Sequence, residues 1–173
     1  QGLTSNLWTY GQNAYCFSIS ASSANILTYA LQLAIPSIYD TRISNAIGST
    51  YKNITNLAKG SYSKAAICAY YEIETIAGQK HTFYSKSTQW NKDLWFSCVA
   101  PQLKKDLVVE SWIRGSAIGP SCTGTYEVID ASSIEFNADF TWSEYNDHSK
   151  WAASLDQEIN CFGDINRMTT QYA

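Results

Sequence analysis

Residues 65–76 read AAICAYYEIETI, and apolar and polar positions alternate along them. Successive side chains of an extended chain point to opposite faces, so Ile67, Ala69, Tyr71, Ile73 and Thr75 share one face, and Cys68, Tyr70, Glu72 and Glu74 share the other. One face suits a core, while the other must meet water, a disulfide or a ligand. Residues 77–80 then read as a hairpin turn into a strand over 81–85, with further extended segments over 94–100 and 107–114. Residues 126–129 and 134–142 predict a second hairpin turned at 130–133. In its second arm Ile134, Phe136, Ala138, Phe140 and Trp142 alternate with polar residues.

Other stretches have helical spacing. Ile26, Leu27, Ala30, Leu31, Leu33 and Ala34 recur three and four apart behind a serine-rich N-cap region, and Pro36 ends the run. A second helix is expected over 37–59, striped by Ile43, Ile47, Tyr51, Ile54 and Leu57 and closed by Gly60. Residues 13–20 suit a first strand, and residues 1–12, with Trp8 and Tyr10, suit a surface arm. Asn146 or Asp147 can cap a C-terminal helix whose stripe is Trp151, Leu155, Ile159 and Phe162. This order predicts an α+β fold: one domain over residues 1–173, an antiparallel sheet with helices packed on one face, stabilised by disulfides.

Composition adds a compartment. Charged residues are 16% of the chain, below the ordinary share of about 25%, and aromatics reach 14% with six Trp and twelve Tyr. A tyrosine-rich, charge-poor surface suits extracellular contact. Cys16, Cys68, Cys98, Cys122 and Cys161 are spread without a CxxC, which favours long-range disulfides over zinc. Two bridges and one left-over thiol are the simplest arrangement, the odd cysteine being available to link two chains. Asn53-Ile54-Thr55 is a glycosylation sequon, and the start at Gln1 without Met fits a processed product, from which a secretory signal peptide would already be gone, or an excised piece of a longer chain. The most apolar run, residues 26–39, is too interrupted to span a bilayer.

The net charge of −3 hides an asymmetry: residues 1–120 carry ten Lys or Arg against six Asp or Glu, and residues 121–173 carry two against nine. Neither part is basic enough to make nucleic acid the default partner. Glu72 and Glu74 sit roughly 6.6 Å apart along one strand face, near the separation of about 6.5–9.5 Å in inverting glycosidases, yet any E-x-E in a strand has that spacing. His81 and His148 stand alone in sequence and read as hydrogen-bonded or exposed rather than as ligands or bases. No phosphate, dinucleotide, zinc or calcium motif occurs, so no cofactor, metal or catalytic residue is assigned.

The segment with the clearest binding chemistry is HTFYSKSTQWNKDLWF, residues 81–96. Trp90 lies in a polar loop between Gln89, Asn91 and Lys92, with Tyr84 and Lys86 just before it. An aromatic beside amides can stack on a sugar or anchor a protein. The reading is therefore a secreted, extracellular, non-catalytic recognition protein, lectin-like, that binds a glycan or a protein surface and no nucleic acid. The alternatives are a secreted hydrolase using Glu72, or a toxin or effector acting on another cell.

Overall fold

The computed structural model describes residues 12–172, so the proposed arm around Trp8 and Tyr10 lies almost wholly outside the described residues. The fold is a mixed α+β one, with a Cys68–Cys98 disulfide. Cys16, Cys122 and Cys161 are free, so the five cysteines resolve into one bridge and three thiols in place of the expected two bridges. No helix among the described residues is long and apolar enough to cross a membrane. The described residues group into two compact units, Cys16–Asn91 and residues 12–15 with Lys92–Tyr172.

In the unit Cys16–Asn91, helix α1 (Ala21–Ala34) starts where the Ser20 hydroxyl accepts from the Ser23 amide, and it stops at left-handed Ile35 just before Pro36. The expected second helix divides into α2 (Asn45–Thr50) and α3 (Lys52–Ala58). Tyr51 between them leaves helical geometry, and the Thr55 hydroxyl bonds the Gly48 carbonyl across the break at 2.9 Å. Strands β1 (Cys68–Glu74) and β2 (Lys80–Lys86) form the predicted hairpin. Its turn closes at Gly78, whose φ of 81° suits a residue without Cβ. The two faces sort as the alternation requires. Ile73 and Thr75 are buried beneath α1, where Ser85 bonds the Ala30 carbonyl and Ser23 the Glu74 carbonyl, whereas Tyr70, Glu72 and Glu74 are exposed. Residues 13–20 form only the single bridge Ile19 to Thr75, not a strand.

The other unit is built on a four-stranded sheet in the order β4 (Val128–Asp130), β3 (Leu107–Ser111), β7 (Lys150–Ser154), β8 (Asn160–Phe162), with β3 and β4 parallel and the other pairs antiparallel. Leu107, Val109, Val128 and Ala152 are at most 1% exposed and form the centre of its core, and Trp95, Val99 and Ala100 of the same unit are also buried. Three expectations fail here, each to local polar chemistry. Residues 94–100 are helical, not extended, because Asp93 caps a π-type turn (Trp95–Val99) by accepting from the Trp95 amide at 3.0 Å; helix α4 (Ala100–Leu103) continues it. The run 134–142 is not one strand. It is itself a hairpin, β5 (Ser133–Asn137) with β6 (Phe140–Ser143), because Asn137 folds its side chain onto the Asp139 amide at 2.9 Å.

The C-terminal helix is absent, and β7 and β8 occupy its place. Ser154 and Asp156 hydrogen-bond each other at 2.6 Å, the Ser154 hydroxyl accepts from the Ile159 amide, and Gln157 turns left-handed. That turn chemistry overrides the helical spacing of Trp151, Leu155, Ile159 and Phe162.

Candidate active site

The recognition residues of the sequence reading lie around one turn. Trp90 is half-buried in a short 3-10 segment, Thr88–Trp90, between exposed Gln89 and left-handed, exposed Asn91. Lys92 is exposed, while Lys86 and Tyr84 are half-buried on β2, Tyr84 tilted against Tyr70 at 6.0 Å between ring centroids. Asn53 lies in α3 with its side-chain amide donating to the Asn25 carbonyl at 3.3 Å. Among the described residues, Glu72 takes part in no ion pair or cluster of charged groups.

Such a cluster does form where the chain enters β7. His148 precedes the strand and Lys150 begins it, two residues apart in an extended stretch and therefore on one side of the chain. The Lys150 ammonium is buried, donates to the His148 carbonyl, and lies 3.3 Å from His148 Nδ1. Gln12 also reaches Nδ1, and Asn13 donates to the Lys150 carbonyl at 3.0 Å. Burial, then the neighbouring charges of Lys150 and Arg114, lower the pKa of His148, with Asp147 opposing. Burial likewise lowers Lys150, against the pull of Asp147, Asp164 and Glu110. A half-buried imidazole and a buried ammonium are thus crowded together, and an anion placed between them would relieve both.

Asp147 is the ionised partner on the other side. Burial alone would raise its pKa, but hydrogen bonds from Ser149 and from the Trp142 indole at 3.0 Å, with the charge of Lys150, leave it below the usual carboxylate range. The imidazole is also held by aromatics. The Trp112 ring meets His148 edge-on at 4.2 Å between centroids, and the Arg114 guanidinium lies 4.6 Å over the Trp112 ring and 4.4 Å over the Tyr145 ring. Trp112 and Arg114 both donate to the Tyr145 carbonyl, at 3.4 and 3.1 Å.

Glu110, on β3 opposite Trp151, is 0% exposed, and among the described residues neither carboxyl oxygen has a hydrogen-bond partner. Burial, with the charges of Asp147, Glu144 and Asp130, pushes its pKa from 4.5 up to about 8, Lys150 opposing. Its carboxyl is therefore neutral at acid and neutral pH. The folded protein binds a proton here that the unfolded chain releases, so the stability Glu110 contributes is complete below 4.5 and is lost as pH rises through about 8. Glu110→Gln should match the parent's thermal midpoint in acid and exceed it above about pH 8, by a shift equivalent to a few kcal/mol, on the order of the penalty lifted. Thermal melts across pH check this, and a difference that is the same at every pH would refute it.

From sequence, His148 reads as a hydrogen-bonded or exposed histidine and Asp147 as a candidate helix cap, and Lys150 and Glu110 carry no role. The usable signal was the pair of basic side chains at His148 and Lys150 within an otherwise acidic stretch, whose only cations are Lys150 and Arg167, both buried.

A family model described as Deoxyribonuclease II matches residues 3–173. The chain is 37% identical over 166 residues to a protein named Deoxyribonuclease-2 from Caenorhabditis elegans, covering 94% of this chain and 44% of that relative. It is 32% identical to a Putative deoxyribonuclease-2 from Burkholderia thailandensis and 29% identical to Deoxyribonuclease-2-beta from Rattus norvegicus, covering 94% of this chain and 47% of each of them. The chain thus spans less than half the length of these relatives. These likenesses overturn the expectation of a non-catalytic recognition protein, together with its lectin-like and toxin alternatives, its glycan or protein partner and its exclusion of nucleic acid. The exclusion failed because net charge averages over the surface, whereas an anion is bound by a few cations in one place.

Proposed function

The chain belongs to the deoxyribonuclease II family, and from that we propose that it hydrolyses phosphodiester bonds of DNA at the His148–Lys150 cluster. The observation that carries this reading is the 3.3 Å approach of two basic groups, both with lowered pKa, one half-buried and one buried. A phosphodiester supplies the missing negative charge. Lys150 binds a non-bridging oxygen and offsets the charge that builds up on phosphorus in the transition state. As water attacks phosphorus and loses a proton to solvent, His148, protonated, donates its proton to the leaving oxygen while that P–O bond breaks, and packing on Trp112 keeps the ring in place. Since burial and nearby cations hold His148 below its ordinary 6.5, the imidazolium form needed for this step is populated on the acid side.

The Cys68–Cys98 disulfide supports a secreted or otherwise oxidising compartment. Lys150→Met tests the charge role. It keeps the length of the side chain and should lower plasmid nicking by about 10²–10³-fold while leaving the thermal midpoint unchanged or higher, because a buried cation is removed. Nicking at the parental rate would exclude Lys150 from the centre.

A further inference from the structure

The aromatic and cationic groups beside His148 form one continuous ladder, His148, Trp112, Arg114, Tyr145, with successive separations of 4.2, 4.6 and 4.4 Å. The two donors that converge on the Tyr145 carbonyl fix its last rung. Tyr145 sits in a 3-10 turn, Glu144–Asn146, directly before the site residues Asp147 and His148. Although one side of its ring is covered by the guanidinium, the residue remains 53% exposed. A ring rigidly backed on one side and open on the other is a stacking platform. The guanidinium behind it adds positive charge that favours a strand carrying phosphates.

Resting on the reading of this site as a nuclease centre, we propose that the exposed ring of Tyr145 is a nucleobase-binding subsite, stacking a base of the same strand whose scissile phosphate lies at His148. The ladder is at most about 13 Å long. With the base stacked one further step beyond the ring, at roughly 3.4 Å per step, it belongs to a nucleotide no more than about five steps from the cleaved bond. Stacking on an open ring needs an unpaired or unstacked base, so the subsite takes single-stranded or locally opened DNA without strong sequence preference.

The test is equilibrium binding of a fluorescein-labelled oligothymidylate, read by anisotropy, to the His148→Ala protein, chosen so that the probe is not cut. Adding Tyr145→Ala should weaken Kd by about 5- to 150-fold, whereas adding Tyr145→Phe should keep it within about twofold. An abasic oligomer of the same length should bind all three proteins alike, which a merely structural role of Tyr145 would not produce. Unchanged affinity for the oligothymidylate on Tyr145→Ala, an equal loss with the abasic oligomer, or no saturable binding to any form would each overturn the subsite. Failure of the underlying nuclease reading is separate: the parent protein would not cut DNA, or His148→Ala would cut it undiminished.

Discussion

His148→Ala should reduce cleavage of DNA by about 10²–10⁴-fold, the contribution typical of a positioned proton-transfer group, while the protein stays folded. The ring is half-exposed and its contacts are a T-shaped packing on Trp112 and polar contacts at one nitrogen, so little core is lost with it. The pH profile separates chemistry from mere architecture. If the imidazolium delivers the proton, parental kcat/KM falls as pH rises through a pKa below 6.5, and that limb belongs to His148. In His148→Ala the residual activity should lose the limb, and added imidazole should restore part of the rate in acid. A variant that keeps the parental rate, or keeps the parental pH profile at a lower rate, would remove His148 from the proton transfer.

Why this residue escaped a reading of the sequence follows from the period assigned to its neighbourhood. Trp151, Leu155, Ile159 and Phe162 carry helical spacing, and in a helix residues two apart point to nearly opposite sides, so His148 and Lys150 would not share a site. In the extended chain that exists, the same two residues meet at 3.3 Å. The deciding information was the side-chain bonding of Ser154 and Asp156, two small polar residues whose turn-forming capacity competes with a helix only in the right backbone context. The hairpin of β1 and β2 was legible because alternation, turn and helix cover agreed on it: Ile73 and Thr75 turned inward and Glu72 and Glu74 outward as the pattern requires. Residues 94–100 were illegible for the converse reason. Their apolar character suits either a buried strand or a buried helix, and the choice was made by Asp93, whose own position depends on a residue far along the chain.

That residue is Arg167, and Arg167→Met should cost about 3–5 kcal/mol of folding stability. The side chain is 1% exposed and every arm of its guanidinium is used: Nε bonds Asp93 at 3.0 Å, Nη1 bonds Asp130 at 2.6 Å, and Nη2 bonds the Ser121 hydroxyl at 3.0 Å and the Gly119 carbonyl at 3.3 Å. Its backbone amide donates to Ser111 at the end of β3. Methionine fills a similar volume but leaves two carboxylates facing each other in a buried place. Burial already raises the pKa of Asp130, with Asp93 adding to it and Arg167 opposing. Without the guanidinium Asp130 should bind a proton more readily, so the loss in urea unfolding should be larger at neutral pH than in acid. Replacing the acids as well, in Arg167→Met with Asp93→Asn and Asp130→Asn, should recover part of the stability, because the cost lies in uncompensated charge. The same variant bears on the site, since Ser111 precedes Trp112 and Arg114, the middle rungs beside His148. Loosening the end of β3 should therefore weaken oligothymidylate binding along with stability. A midpoint shift in urea equivalent to less than about 1 kcal/mol would show that Arg167 is an ordinary ion pair and not the clamp of this unit.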